Sequence, residues 1–124
     1  MDVQIIDDNE MTRTLLHTIL VNDGYKIVGE SKSSKSGLED ALKLKPDVIC
    51  LDILFPDGNG VEVLKQLSRE LPKTIVLMVT GKRDVDTVKE CMQNGAKGFI
   101  IKPFNATTVI KTVREAVLRA AKAE

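Results

Sequence analysis

The chain reads as an α/β protein in which five strands alternate with five helices around one parallel sheet. Three observations predict this. Short apolar runs alternate with longer stripes of helical period along the whole chain. Two of the runs, Val48-Ile49-Cys50-Leu51-Asp52 and Thr74 to Thr80, are apolar on both faces, as buried central strands of parallel sheets are. The connections are short, and right-handed crossovers then put helices on both faces.

The elements follow in order. Val3-Gln4-Ile5-Ile6-Asp7 is the first predicted strand. Met11, Leu15, Leu16, Ile19 and Leu20 form a helical stripe that Asp23-Gly24 ends. Lys26 to Glu30 is a short second strand, weakened by Gly29. The serine-rich stretch from Lys32 to Lys35 reads as a solvated loop. Leu38, Ala41 and Leu42 mark the second helix, closed before Pro46. Asp52 ends the third strand, and Pro56-Asp57-Gly58-Asn59-Gly60 is a turn cluster. Val61, Leu64, Leu67 and Leu71 give the third helix, stopped at Pro72, before the fourth strand. Val85, Val88 and Met92 give the fourth helix, with Asn94-Gly95 as its stop. Gly98 to Lys102 is the fifth strand. Asn105 can cap the fifth helix, whose apolar positions are Val109, Ile110, Val113, Val117 and Leu118.

Bulk properties narrow the function. A chain of 124 residues suits one domain, residues 1–124, with a core of its own. Eighteen basic and eighteen acidic residues cancel, so neither nucleic acid nor an anionic membrane finds an electrostatic footprint. Cys50 and Cys91 stand in apolar contexts without CxxC spacing and read as buried thiols in a reducing cytosol. No leader or membrane-spanning run is expected, and a cytoplasmic protein is. His17 reads as a surface residue.

In such a sheet, ligands bind beyond the C-terminal strand ends. Asp7-Asp8, Asp52, Thr80 and Lys102 all fall at those ends. Asp8 alone reads most simply as a helix cap, and Asp52 alone as the start of a turn. Together the acids crowd negative charge that a cation must neutralise. Magnesium suits them: it favours hard oxygens and takes one or two carboxylates plus phosphate oxygens. A carboxylate is itself a phosphoryl acceptor, giving an acyl phosphate. Lys102 would steady one phosphoryl oxygen and Thr80 another. Lys102-Pro103 permits a cis peptide bond.

Asp7-Asp8, Asp52-Ile53-Leu54-Phe55-Pro56-Asp57-Gly58-Asn59-Gly60, Val79-Thr80-Gly81 and Lys102-Pro103-Phe104 resemble the receiver domain of two-component response regulators, in order and along the whole chain. The resemblance implies a flavodoxin-like sheet of strand order 2-1-3-4-5. It implies that Asp52 is the phospho-acceptor, that Asp8 binds Mg2+ directly and Asp7 largely through water, and that the Leu54 carbonyl is a further ligand. Thr80 and Lys102 would contact the phosphoryl group. Phe99 would be the aromatic switch residue, here without the more usual tyrosine hydroxyl. Leu54 and Lys82 would flank the path of the hydrolytic water, and an apolar Leu54 should slow hydrolysis.

The implied partners are a histidine kinase or histidine phosphotransfer protein as donor, and an effector protein or tethered output domain downstream. Met11, Leu15, Pro103 and Phe104 would face the donor; Met11 and Leu15 read equally well as core. Lys89, Gln93, Lys97, Lys111, Arg114 and Glu115 are candidates for an output face on the fourth helix, fifth strand and fifth helix. A phosphorylation-dependent homodimer is left open. Three other readings compete. A magnesium-dependent phosphatase with an aspartyl-phosphate intermediate would need a second acid two residues past the first, where Asn9 stands, and a cap for its substrate. A flavin-binding electron carrier would need a hydroxyl- and glycine-rich phosphate loop where Asp7-Asp8-Asn9-Glu10 stands. A receiver that works without phosphorylation would not need all five functional side chains.

Overall fold

The computed structural model describes residues 1–81 and 84–123. Its elements are β1 Asp2–Ile6, α1 Glu10–Asn22, β2 Lys26–Ser31, α2 Ser34–Leu44, β3 Val48–Asp52, β4 Leu54–Phe55, β5 Gly58–Asn59, α3 Gly60–Glu70, β6 Ile75–Thr80, α4 Val85–Gln93, β7 Gly98–Ile101 and α5 Ala106–Ala123. The main sheet has order β2-β1-β3-β6-β7, with every pair parallel. This is the 2-1-3-4-5 order of a flavodoxin-like sheet. Among the described residues, no helix is long and apolar enough to cross a membrane.

Strand alternation divides the core into two layers. Val3, Ile5, Val48, Cys50, Leu77 and Val79 pack with Leu16 and Leu20 of α1 and Val109 and Val113 of α5. Ile6, Ile49, Leu51, Val76 and Met78 pack on the other face with Ala41 of α2, Leu64 and Leu67 of α3, and Cys91 of α4. Cys50 and Cys91 are free and buried, and burial pushes the Cys50 thiol up to about 12. Gln4 breaks the apolar pattern inside β1. Its buried amide donates to Ser31 Oγ at 3.1 Å and to the Gly37 carbonyl at 3.0 Å. A buried polar group needs such partners, and this pair ties β1 to β2 and α2.

Four expectations need correction. Only the first half of the Lys32 to Lys35 stretch is a loop: Ser33 caps α2 by accepting from Ser36 N, and Ser34 is buried in its first turn. Serine suits both a loop and a helix start, so composition could not separate them. In α4, Val85 and Met92 face solvent while Cys91 faces the core, so the predicted stripe is rotated outward. In α5, Leu118 is exposed and Ala116 takes the buried place. The turn cluster after β3 contains a two-residue ladder, Leu54 opposite Asn59 and Phe55 opposite Gly58.

Candidate metal centre

The sheet places each acid by ending a strand. Asp7 follows β1, Asp52 is the last residue of β3, and Asp8 follows Asp7 in the turn to α1. One ligating oxygen from each lies within 4.8 Å of the others. Asp7 and Asp52 are buried, and Asp8 is exposed. Asn9, not Asp8, caps α1, its Oδ1 accepting from Thr12 N at 2.9 Å. Asp8 is therefore not the cap that its position suggests.

Lys102 follows β7, and its Nζ stands 3.2 Å from Asp7 Oδ2 and 3.3 Å from Asp52 Oδ2. The Lys102-Pro103 bond is cis. Backbone bonds hold the rest of the edge. Ile53 N–H donates to Asp52 Oδ1 at 2.7 Å, and Asn9 N–H donates to Asp7 Oδ1 at 2.8 Å. Thr80 ends β6 and is buried, and its carbonyl accepts from Lys102 N–H at 2.9 Å. The Lys102 backbone is thus bonded to the strand end that carries Thr80.

Burial raises the Asp52 carboxyl above the ordinary aspartate range, and Asp7 adds to this, while Lys102 pulls it back. Burial works against the Lys102 ammonium, but Asp52 and Asp7 outweigh it and its pKa rises. One ammonium against three carboxylates leaves the pocket negative. Asp7 Oδ2 is also buried with no hydrogen-bond partner among the described residues, although the Lys102 charge is near. Converging hard oxygens, one of them without a hydrogen bond, fit a divalent cation with oxygen preference. Asp7, Asp8 and Asp52 are the residues that could hold it.

The remaining candidates spread outward. Leu54, two residues past Asp52, is 55% exposed at the start of β4. Phe99 is half-buried on β7 and packs on the α2–α3–α4 side of the core. Met11 and Leu15 are exposed on α1 and line an open groove of about 880 Å³ with Asn9, Glu10, Thr14 and Thr18. Pro103 is exposed, and Phe104 is half-buried against the α1–α5 layer. Lys89, Gln93 and Lys97 are exposed on or just past α4. Lys111 and Glu115 are exposed on α5, but Arg114 is drawn to Asp23 at 2.6 Å, at the end of α1. The flank of α5 that meets β7 carries Thr112 and Arg119, whose Nη2 donates to the Lys97 carbonyl. Lys82 lies outside the described residues.

Two contributors escaped sequence reasoning. Arg13 donates to the Asp7 carbonyl, a backbone partner that no side-chain pattern signals. Asp57 accepts from Ser34 N–H at 3.0 Å and Lys35 N–H at 3.2 Å, fastening the β4–β5 turn to the start of α2. Those bonds hold its carboxyl below the usual range.

The family model of the response regulator receiver domain matches residues 3–114. The chain belongs to the response regulator receiver domain family. Chemotaxis protein CheY of Thermotoga maritima is 30% identical over 113 residues, 91% of this chain and 94% of that protein. The response regulator domain of Thermotoga maritima CheB is 33% identical with a TM-score of 0.81, covering 99% of this receiver and 95% of that chain. The CheX–CheY–BeF3–Mg2+ complex of Borrelia burgdorferi contains a chain 25% identical, with a TM-score of 0.91, covering 94% and 89%.

Proposed function

We propose that this receiver is a phosphorylation-dependent signalling switch whose acceptor is Asp52. The observation that carries the reading is the Lys102 ammonium set between the buried carboxylates of Asp7 and Asp52. A carboxylate oxygen of Asp52 attacks the phosphorus of a phosphohistidine. The P–N bond breaks as the P–O bond forms, and the imidazole leaves and takes up a proton. Asp52 enters aligned, because Ile53 N–H holds its Oδ1. Lys102 follows the charge onto a phosphoryl oxygen, and Thr80 offers its hydroxyl to another. Asp7, Asp8 and Asp52 would hold Mg2+, joined by the Leu54 carbonyl. When bound, the ion neutralises charge on the phosphoryl oxygens. The Borrelia complex contains Mg2+ and BeF3, which supports the same pairing here.

The donor we infer is a histidine kinase or histidine phosphotransfer protein, seated on the exposed apolar groove of Met11 and Leu15, with Pro103 and Phe104 as further candidates for that face. The readout is a shift of Thr80 and Phe99 that alters the α4–β7–α5 face. Chemistry is confined to the domain's own phosphorylation and its reversal, in the cytosol, where the two buried thiols stay reduced.

Intact mass after incubation with Mg2+ and acetyl phosphate tests the reading. The wild type should gain one phosphoryl group and Asp52→Asn none. Equal gain in both would move the acceptor elsewhere. Leu54 supplies a second expectation. In the family this position flanks the path of the hydrolytic water, and an apolar side chain there offers that water no hydrogen bond, so the phosphoaspartate should be long-lived. Leu54→Asn should speed dephosphorylation roughly 5-fold, about 1 kcal/mol of barrier. An unchanged decay of the phosphorylated mass would remove this role.

A further inference from the structure

The acidic pair has a cation behind it as well as one in front. Arg13 lies in the first turn of α1, with its side chain only 15% exposed. Its Nη1 donates to the main-chain carbonyl of Asp7 at 2.5 Å. Its Nε faces Glu30 Oε1 at 3.8 Å, and Glu30 Oε2 meets His17 Nδ1 at 2.9 Å. The carbonyl that Arg13 holds belongs to the peptide joining Asp7 to Asp8. That unit is planar, so fixing its oxygen fixes the direction in which the chain enters Asp8. The Asp7 side chain is separately fixed by Asn9 N–H and Lys102.

We propose that Arg13, steadied by Glu30, is a positioning residue for the metal: it sets the Asp7–Asp8 peptide and with it the place of the Asp8 carboxylate. The inference rests on reading Asp7, Asp8 and Asp52 as a magnesium site. The sign of the charge gives it force. A guanidinium this close to the acids repels a divalent cation, so its electrostatic effect opposes metal binding. Any benefit to the metal is then geometric. Arginine also fits where lysine would not, because its fork reaches the carbonyl and Glu30 together.

Calorimetric titration with Mg2+ alone, without a phosphodonor, separates the alternatives. It would compare the wild type with Arg13→Ala and Arg13→Lys, with thermal unfolding of each measured alongside. Arg13→Ala should bind Mg2+ about tenfold more weakly, the usual scale for losing a residue that orients a ligand. Affinity equal to or above wild type would overturn the proposal, because removing only a repelling charge tightens binding. A lower melting temperature with unchanged affinity would overturn it too, leaving Arg13 a plain tie between α1 and β2. Arg13→Lys keeps the charge and loses the fork, so it decides the matter if the alanine variant does not fold: weaker binding supports positioning, and wild-type affinity refutes it. If the wild type itself fails to bind Mg2+, the metal reading falls and this inference with it.

Discussion

Gly60→Ala should destabilise the receiver by about 3 kcal/mol, the upper end of what forced packing costs, and disable phosphorylation as well. Gly60 opens α3, and its N–H donates to the Ile53 carbonyl at 2.6 Å. That bond folds the loop after β3 back on itself. A Cβ built on Gly60 would lie 1.9 Å from the Asp52 carbonyl oxygen and 2.8 Å from Ile53 Cα. Both are backbone atoms, and no rotamer change can clear them. Relief requires moving the peptide that follows Asp52, the same peptide whose N–H holds the Asp52 carboxylate. Stability and the geometry of the proposed acceptor are therefore lost together. Gly81 is the internal control, because a Cβ there meets nothing within 4 Å. Urea unfolding with unchanged m-values should put Gly81→Ala within about 0.5 kcal/mol of wild type and Gly60→Ala far below it. A Gly60→Ala protein of wild-type midpoint and phosphorylation rate would contradict the argument.

That loop marks where the sequence stops being readable. The five strands were legible because Val48 to Asp52 and Thr74 to Thr80 are unbroken apolar runs, and every such run is followed by a helical stripe. The candidate site was legible for the same reason: a residue ending a parallel strand is placed by topology, whatever the details of packing. Helix phase was less so. Cys91 and Met92 are neighbours of similar apolarity, and only contact with α3 and the sheet decides which one turns inward. The resemblance, not periodicity, supplied the roles of Leu54 and Phe99. Contacts to backbone were invisible, since the carbonyl held by Arg13 and the helix start held by Asp57 belong to any residue type. Gln4 ran against the pattern, because its partners are Ser31, 27 positions away, and a carbonyl of α2.

Lys102→Ala should produce a pH-dependent loss of stability that Mg2+ repairs. The ammonium is the cation shared by Asp7 and Asp52, and it is 30% exposed. Without it, two buried carboxylates face each other with no counter-charge from the chain. Removing one partner of a buried pair costs about 3–5 kcal/mol, and partial exposure here reduces this to about 2 kcal/mol near pH 7. The sign with pH follows from Asp52, whose folded pKa lies above its unfolded value. Such an acid stabilises the fold below its unfolded pKa, and that contribution is lost as pH rises through the folded value. Deleting Lys102 raises the folded value further, since Lys102 is what pulls it down. The deficit of the variant against wild type should therefore be largest at neutral pH and shrink as pH falls through the raised Asp52 pKa. Millimolar Mg2+ at pH 7 should also shrink it, because the ion supplies the missing positive charge while leaving the phosphoryl contact proposed for Lys102 unreplaced. Stability would recover and phosphorylation would not. Denaturation midpoints at several pH values, with and without Mg2+, check this. A deficit independent of both would assign Lys102 to packing, not to charge.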